Sequence, residues 1–313
     1  MRGHGRAYHG SMIVVAGEAL IDLLVRPDGR LAAVPGGGPF NTARTVARLG
    51  LPVAFLGRLS DDRFGLTLRA ALADDGVDLS LVESTTAPTT LAIAELDPAG
   101  AATYRFHTAE TSAPGLSAAA VRAALAIHPR ALHVGSLGLA LEPMAEAIAG
   151  GVGGVARTTL VMLDPNCRPL VITDRPAYLA RLDAVVRRAD IVKLSTGDLA
   201  YLAPGVPAVA AARELLGRGP ATVLLTDGSS PVRCLTAAFA FELEVPAVAV
   251  ADTVGAGDAF GGAFLARWIE RGFSRPELGD EAALRDAVTR AVEVATRTCG
   301  RPGADPPRRA ELA

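Results

Sequence analysis

From residue 118 to residue 226 the chain alternates between two kinds of segment. Helix-like stretches at 118–126, 143–149, 178–189 and 208–216 are each followed by a short strand-like, mostly apolar run, at 131–134, 159–163, 191–194 and 222–226. Continuous apolar strands are buried on both faces, and strands separated by helices run parallel. The pattern predicts a doubly wound α/β fold: a mainly parallel sheet with helices on both faces. A buried strand at 12–16, a helix at 41–49 ending at Gly50, a strand-like run at 53–57 and a helix at 64–74 extend it. Two hairpins interrupt the alternation. Residues 23–25 and 31–34 flank Arg26-Pro27-Asp28-Gly29-Arg30, and residues 90–96 and 102–107 flank Asp97-Pro98-Ala99-Gly100. They are expected to form a small β-lid, about 23–34 and 90–107, over the C-terminal edge of the sheet, where open α/β sheets bind ligands. The 313 residues accommodate one such domain, taken as 12–313. Residues 1–11 are Gly/His/Arg-rich and are expected to be a tag or a disordered extension.

Composition narrows the function classes. Net charge is −2 with no basic block, which argues against a nucleic-acid partner. Cys167, Cys234 and Cys299 are odd in number and far apart, so neither a disulfide framework nor a metal-spaced cluster is expected. A reduced, cytoplasmic setting fits that usage. No apolar run reaches the length of a membrane span, and Glu18 interrupts the short run that begins at Ile13.

The chemistry concentrates near the C-terminus, in Asp252-Thr253-Val254-Gly255-Ala256-Gly257-Asp258-Ala259-Phe260. The apolar stretch 245–251 before it reads as a strand. Phe260, Phe264 and Trp268 recur every four residues after it, so a helix face begins there. A glycine-rich turn thus delivers the chain to a helix N-terminus, whose free N–H groups and dipole attract phosphate. A carboxylate at that point would repel an anion unless a hydroxyl lay between, giving its proton to Asp258 as it attacks phosphorus. The plain alternative is an ordinary aspartate helix cap. Two phosphate motifs are excluded. A Walker A loop needs a Gly-Lys pair, which the chain lacks, and the dinucleotide fingerprint needs a third glycine where Phe260 stands.

Other segments gather at the same sheet edge. Pro35-Gly36-Gly37-Gly38-Pro39-Phe40-Asn41 offers close backbone approach and an amide, although a tight turn capped by Asn41 would use the same residues. Asp22 follows the first strand, Asp164-Pro165-Asn166-Cys167-Arg168 follows another, and Thr226-Asp227-Gly228 ends a third. Lys193, the sole lysine, ends a strand beside Ser195 and Asp198. It is a candidate point charge for phosphate.

Taken together these segments resemble the ribokinase (PfkB-type) carbohydrate kinase family over nearly the whole chain. Gly36 to Asn41 resembles the N-terminal signature, Gly57-Arg58-Leu59-Ser60-Asp61-Asp62-Arg63-Phe64-Gly65 a second segment, and Asp252 to Asp258 the C-terminal signature. The resemblance implies a ribokinase-like fold and ATP-dependent phosphorylation of a sugar hydroxyl, with Mg²⁺. Carried over by position, Asp258 would be the catalytic base and the amides of Gly255, Ala256 and Gly257 an anion hole. Asp22, Gly37 and Asn41 would bind sugar hydroxyls. Lys193, Ser195, Asp198, Thr226, Gly228 and Gly257 would lie near the nucleotide or its metal. Relatives also hold a monovalent cation, K⁺, beside the anion hole, and here Asp252, Val254, Thr298, Arg301 and Gly303 match its place. The chain departs from the family at Ser195 (usually Asn), Asp198 (usually Glu), the 226–231 loop, and Pro307, which lacks a hydroxyl.

Gly17-Glu18-Ala19-Leu20-Ile21-Asp22-Leu23, Thr108-Ala109-Glu110, His133-Val134-Gly135-Ser136-Leu137 and Arg301-Pro302-Gly303-Ala304 resemble the fructokinase branch most. Arg105 and Arg168 are the cations expected near substrate, and as a pair they would suit a carboxylated sugar such as 2-keto-3-deoxygluconate. A ribokinase-like activity and a non-catalytic sugar- or nucleotide-binding role remain as alternatives. A homodimer through the lid hairpins is also expected.

Overall fold

The computed structural model describes residues 12–97 and 102–312, so expectations for residues 1–11 and for the turn at 98–101 lie outside the described residues. In chain order the elements are β1 (Ile13–Ala16), β2 (Leu20–Val25), β3 (Leu31–Gly36), α1 (Gly38–Arg48), β4 (Val53–Leu56), β5 (Arg58–Ser60), α2 (Arg63–Asp74), β6 (Glu83–Thr85), β7 (Leu91–Leu96) and β8 (Ala102–His107). There follow α3 (Ala118–Leu125), β9 (Ala131–Gly135), α4 (Met144–Gly154), β10 (Leu160–Asp164), α5 (Arg175–Arg188), β11 (Ile191–Ser195), α6 (Thr196–Leu202) and α7 (Ala208–Leu216). The last are β12 (Thr222–Asp227), β13 (Ser230–Thr236), β14 (Ala240–Leu243), α8 (Ala256–Glu270) and α9 (Glu281–Cys299).

The main sheet has eight strands in the order β14-β13-β12-β11-β10-β9-β1-β4. It is parallel from β12 to β4, while β13 and β14 turn back antiparallel at one edge. Alternation along each strand divides the core. Ile13 and Val15 pack with Phe40, Leu68, Phe264 and Leu284 on the side of α1, α2, α8 and α9. Val14 and Ala16 pack with Val121, Ile148, Leu182 and Ala211 on the side of α3, α4, α5 and α7. Trp268, fully buried, stacks on Phe264 at 5.5 Å and meets the edge of Phe273 at 5.1 Å. No helix among the described residues is long and apolar enough to cross a membrane.

The two hairpins pair with each other in a separate four-stranded sheet, β3-β2-β7-β8, in which β2 and β7 run parallel. One expectation fails at the other end of the chain. Residues 245–251 form no strand; the last strand ends at Leu243, and positions 246–251 are exposed. Pro246 has no N–H for a ladder, and the segment is held by Ala251 N donating to the Cys299 carbonyl at 2.8 Å. Its apolar residues belong to a chain segment lying outside the sheet. α4 also continues through Gly150, Gly151, Gly153 and Gly154, past the expected end at 149.

Candidate active site

A cavity of about 480 Å³ lies between the C-terminal edge of the main sheet and the lid. Its floor comes from the segments following β1, β9 and β10 together with Lys193 of β11, its side from the N-termini of α1 and α8, and its roof from Leu20, Asp22, Ala92, Tyr104 and Phe106 of the lid. The volume matches a small polar ligand plus a phosphate chain better than a single ion.

α8 begins where the sequence places it. Gly255 takes φ 76° and ψ −2°, a left-handed conformation that a side chain would strain, and from there the chain enters the helix with Asp258 in its first turn. The Ala256 N–H turns back to the Thr253 carbonyl at 3.3 Å. Gly255, Gly257 and Asp258 face the cavity. Burial pushes the Asp258 carboxyl up to about 6, against an opposing hydrogen bond from Asn41, whose Nδ2 donates to Asp258 Oδ2 at 2.9 Å. A carboxyl in that range is deprotonated at neutral pH yet basic enough to take a proton. Asn41 Oδ1 is buried and, among the described residues, has no hydrogen-bond partner. Asn41 therefore grips the carboxylate with one end and leaves an acceptor for a ligand hydroxyl at the other.

Lys193 lies beneath the turn. Its Nζ is 2.8 Å from Asp164 Oδ2, both side chains are buried, and a Cβ placed on Gly257 would meet that same Nζ at 2.8 Å. Burial works against the ammonium, and Asp164, with smaller help from Asp198 and Asp258, more than offsets it. Asp164 Oδ1 is buried and, among the described residues, unpartnered. A cation and an acceptor thus sit side by side under the amides of α8, an arrangement suited to phosphate and its counter-ion.

Asp22 and Arg168 face the cavity from opposite sides, and burial pushes the Asp22 carboxyl up to about 6 while Arg168 pulls it back. Gly37 also lines the cavity. Arg105 does not. Tyr104 and Phe106 share the inward face of β8, so strand alternation turns Arg105 outward, where its exposed guanidinium sits 3.6 Å from Glu95. That corrects its expected substrate contact.

Ser195, Asp198, Thr226 and Gly228 cluster at the ends of β11 and β12, where Ser195 pairs with Thr226, but none lines the cavity. Asp198 is engaged in structure. Its Oδ2 accepts from Ser195 N (2.8 Å) and Oγ (2.6 Å), and its Oδ1 from Cys167 N (2.7 Å), joining α6 to the loop after β10. The expected cation ligands are likewise engaged with the protein. Asp252 accepts from Val254 N at 3.0 Å and Gly303 N at 2.9 Å, Thr298 Oγ1 donates to the Val294 carbonyl, and Arg301 pairs with Asp305 and Glu311. Among the described residues no group of three or more His, Cys, Asp or Glu is arranged to hold a metal. These contacts bind the 301–305 loop to the turn before α8.

Glu18 was missed as a site residue. It follows β1 and is 1% exposed, with Oε1 accepting from Gly38 N and Oε2 from Gly138 N, each at 3.0 Å. It thereby ties two cavity walls together, and burial pushes its carboxyl up to about 7. The signal was present as an acid in an otherwise apolar strand end. Tyr104 and Phe106 were also missed, although their two-residue spacing on a hairpin arm marks one face of a strand.

A helix N-terminus aimed at a lidded sheet edge, with a buried carboxylate in its first turn and a buried lysine beneath, defines an α/β enzyme of the phosphoryl-transfer class. Residues 11–310 match the pfkB family carbohydrate kinase model, and the chain belongs to that family. It is a carbohydrate kinase. It is 35% identical over 259 residues to a fructokinase of Rhizobium leguminosarum bv. trifolii, covering 82% of this chain and 79% of that one. Among solved structures, a fructokinase with bound ATP from Xylella fastidiosa superposes with a TM-score of 0.86 at 30% identity, covering 94% of this chain and 93% of that one. An aminoimidazole riboside kinase from Salmonella enterica, complexed with aminoimidazole riboside and an ATP analog, superposes at 0.81 with 25% identity, covering 94% and 95%.

Proposed function

We propose that this kinase moves the γ-phosphoryl group of ATP to a primary hydroxyl of fructose. The observation that carries the chemistry is Asp258: a buried carboxylate with a raised pKa in the first turn of a phosphate-attracting helix. The sugar sits under the lid with hydroxyls toward Asp22, the Gly37 backbone and Asn41 Oδ1. Asp258 takes the proton of the attacking hydroxyl, and that oxygen bonds to the γ-phosphorus as the bond to the β-phosphate oxygen breaks. The amides of Gly255 and Gly257 receive the equatorial oxygens, the expected Ala256 amide being turned to the Thr253 carbonyl instead, and Lys193 supplies positive charge from below. The nucleotide extends past the ends of β11 and β12, by Ser195, Asp198, Thr226 and Gly228. Mg²⁺ carried by the nucleotide would neutralise phosphate charge, and the buried Asp164 Oδ1 is the protein oxygen that fits it. The lid is also the face on which two copies would meet, since Leu31 of β3 is 63% exposed.

Fructose is favoured by the names of the relatives and by the lid chemistry. Arg105 turns away, leaving Arg168 without the second arginine that a sugar carboxylate would use. Mg·ATP-dependent ADP release tests this across fructose, 2-keto-3-deoxygluconate, ribose, a nucleoside and fructose 6-phosphate, each with and without K⁺. The expected result is highest kcat/KM on fructose. Preferential turnover of the keto-acid would return a carboxylate to the site, and preference for the nucleoside would favour a riboside kinase.

The base role has a pH signature. With Asp258 pushed up to about 6, kcat/KM should hold level above about pH 7 and fall roughly tenfold per unit below about pH 6, as the carboxylate protonates. A level profile from about pH 5 to 8 would remove Asp258 from the protonation step.

A further inference from the structure

The turn before α8 is braced from a distance. α1 touches Asp258 at its first turn, through Asn41 Nδ2 and through Thr42 Oγ1, which donates to the Asp258 carbonyl at 3.4 Å. The same helix carries Arg44 and Arg48 farther along. Arg44 Nη1 donates to the Ala304 carbonyl at 3.2 Å, and Arg48 Nη1 donates to Asp305 Oδ1 at 2.5 Å and to the Pro306 carbonyl at 2.6 Å. Both guanidinia are paired with one carboxylate at the C-terminus of α2. Asp75, whose side chain is 3% exposed, accepts from Arg44 Nε at 2.7 Å and lies 2.8 Å from Arg48 Nε in an ion pair without hydrogen-bond alignment. Arg308, just past the gripped segment, reaches the same carboxylate at 2.9 Å.

The gripped segment bears on the turn. A Cβ built on Gly255 would lie 2.5 Å from Ala304 Cβ and 3.0 Å from its Cα. Ala304 therefore packs directly against the one residue of the turn in a left-handed conformation. On the far side Asp252 holds Gly303 N, so residues 303–306 are clamped from both directions. A buried carboxylate facing three arginines is expensive to disturb: without its charge the guanidinia repel one another and lose their aim.

We propose that Asp75, acting through Arg44 and Arg48, is a distal positioning residue for phosphoryl transfer. It seats Ala304 against Gly255 and so fixes the amides of the 255–258 turn. The proposal rests on the reading of that turn as the phosphoryl site. Catalysis is sensitive to such placement, since a displacement of about 1 Å at reacting groups costs on the order of 10²-fold in rate.

The test compares Asp75→Asn, Asp75→Glu, Ala304→Gly and Asp258→Asn, with kcat expressed per nucleotide-binding site counted by calorimetry, so that unfolded protein does not register as slow enzyme. Asp75→Asn should lower kcat per site about tenfold and leave the sugar KM within about twofold, because the turn loosens while the sugar contacts remain. Asp75→Glu should recover most of the loss. Ala304→Gly leaves the arginines intact and removes only the bracing methyl; it should lower kcat in the same direction with little change in Tm. It carries the test alone if Asp75→Asn does not fold. Normal kcat per site in Ala304→Gly, or in a folded Asp75→Asn, overturns the proposal provided Asp258→Asn is inactive. An active Asp258→Asn instead overturns the reading of the turn on which it rests.

Discussion

Replacing Asp258 with Asn should lower turnover by about 10²–10⁴-fold, the usual range for loss of a general base, and should leave substrate binding largely intact. The change is nearly isosteric. Asn41 Nδ2, now 2.9 Å from Asp258 Oδ2, would still find a carbonyl oxygen there, and the first turn of α8 would keep its shape. What disappears is a lone pair basic enough to take the hydroxyl proton. The loss should therefore fall on kcat and leave KM little changed. Stability should hold or rise slightly, because a carboxylate disfavoured by burial is replaced by a neutral amide. Near-normal turnover of a folded Asp258→Asn enzyme would sink the proton-transfer role.

Lys193→Met should be damaging in two separable ways. Lys193 and Asp164 form a buried pair, their side chains 6% and 5% exposed. Removing one partner leaves the other uncompensated, which costs about 3–5 kcal/mol. Chemical denaturation reads that loss. The charge under Gly257 also goes, and turnover should fall roughly 10²-fold, the scale of removing one preorganised stabilising group. The double variant Asp164→Asn with Lys193→Met separates the effects. With both charges gone, much of the stability should return while turnover stays low. A double variant that regains both would make the pair a structural device only. A stable Lys193→Met enzyme with normal turnover would exclude the lysine from both tasks.

The layout of the main sheet was legible because strands buried on both faces are apolar along most of their length, as 13–16 and 160–163 are throughout. Residues 245–251 satisfy the same rule of composition and still form no strand. Apolarity shows that a segment can join a sheet; a ladder also needs a neighbour and a full set of N–H groups, and Pro246 removes one. The short helix α6 was hidden for a related reason. Seven residues give too little periodicity to read, and its boundary is set by the Ser195–Asp198 capping box.

At the site, residue identity was easier to read than direction. Asp258, Asn41, Lys193, Asp22 and Arg168 do converge on one cavity. Charge alone points to Arg105, although the alternation of β8 turns it outward and places Tyr104 and Phe106 on the inward face of that strand. Asp252, Thr298, Arg301 and Gly303 are the expected residue types in the expected order. Their polar groups nonetheless bind one another, Val294, Asp305 and Glu311. Such mutual engagement depends on side-chain orientation, which a linear motif does not encode. Glu18 shows the converse: its role depends on two backbone amides, Gly38 and Gly138, that are distant in sequence and meet only in the fold.

The most direct test of the account follows the products of the wild-type enzyme by phosphorus NMR with Mg·ATP, with and without fructose. The account predicts ADP and a fructose phosphomonoester in equal amounts, formed only when the sugar is present. ADP accompanied by free phosphate, formed at the same rate without sugar, would contradict it: water would then be the acceptor, and the lidded cavity would not be delivering a hydroxyl to Asp258.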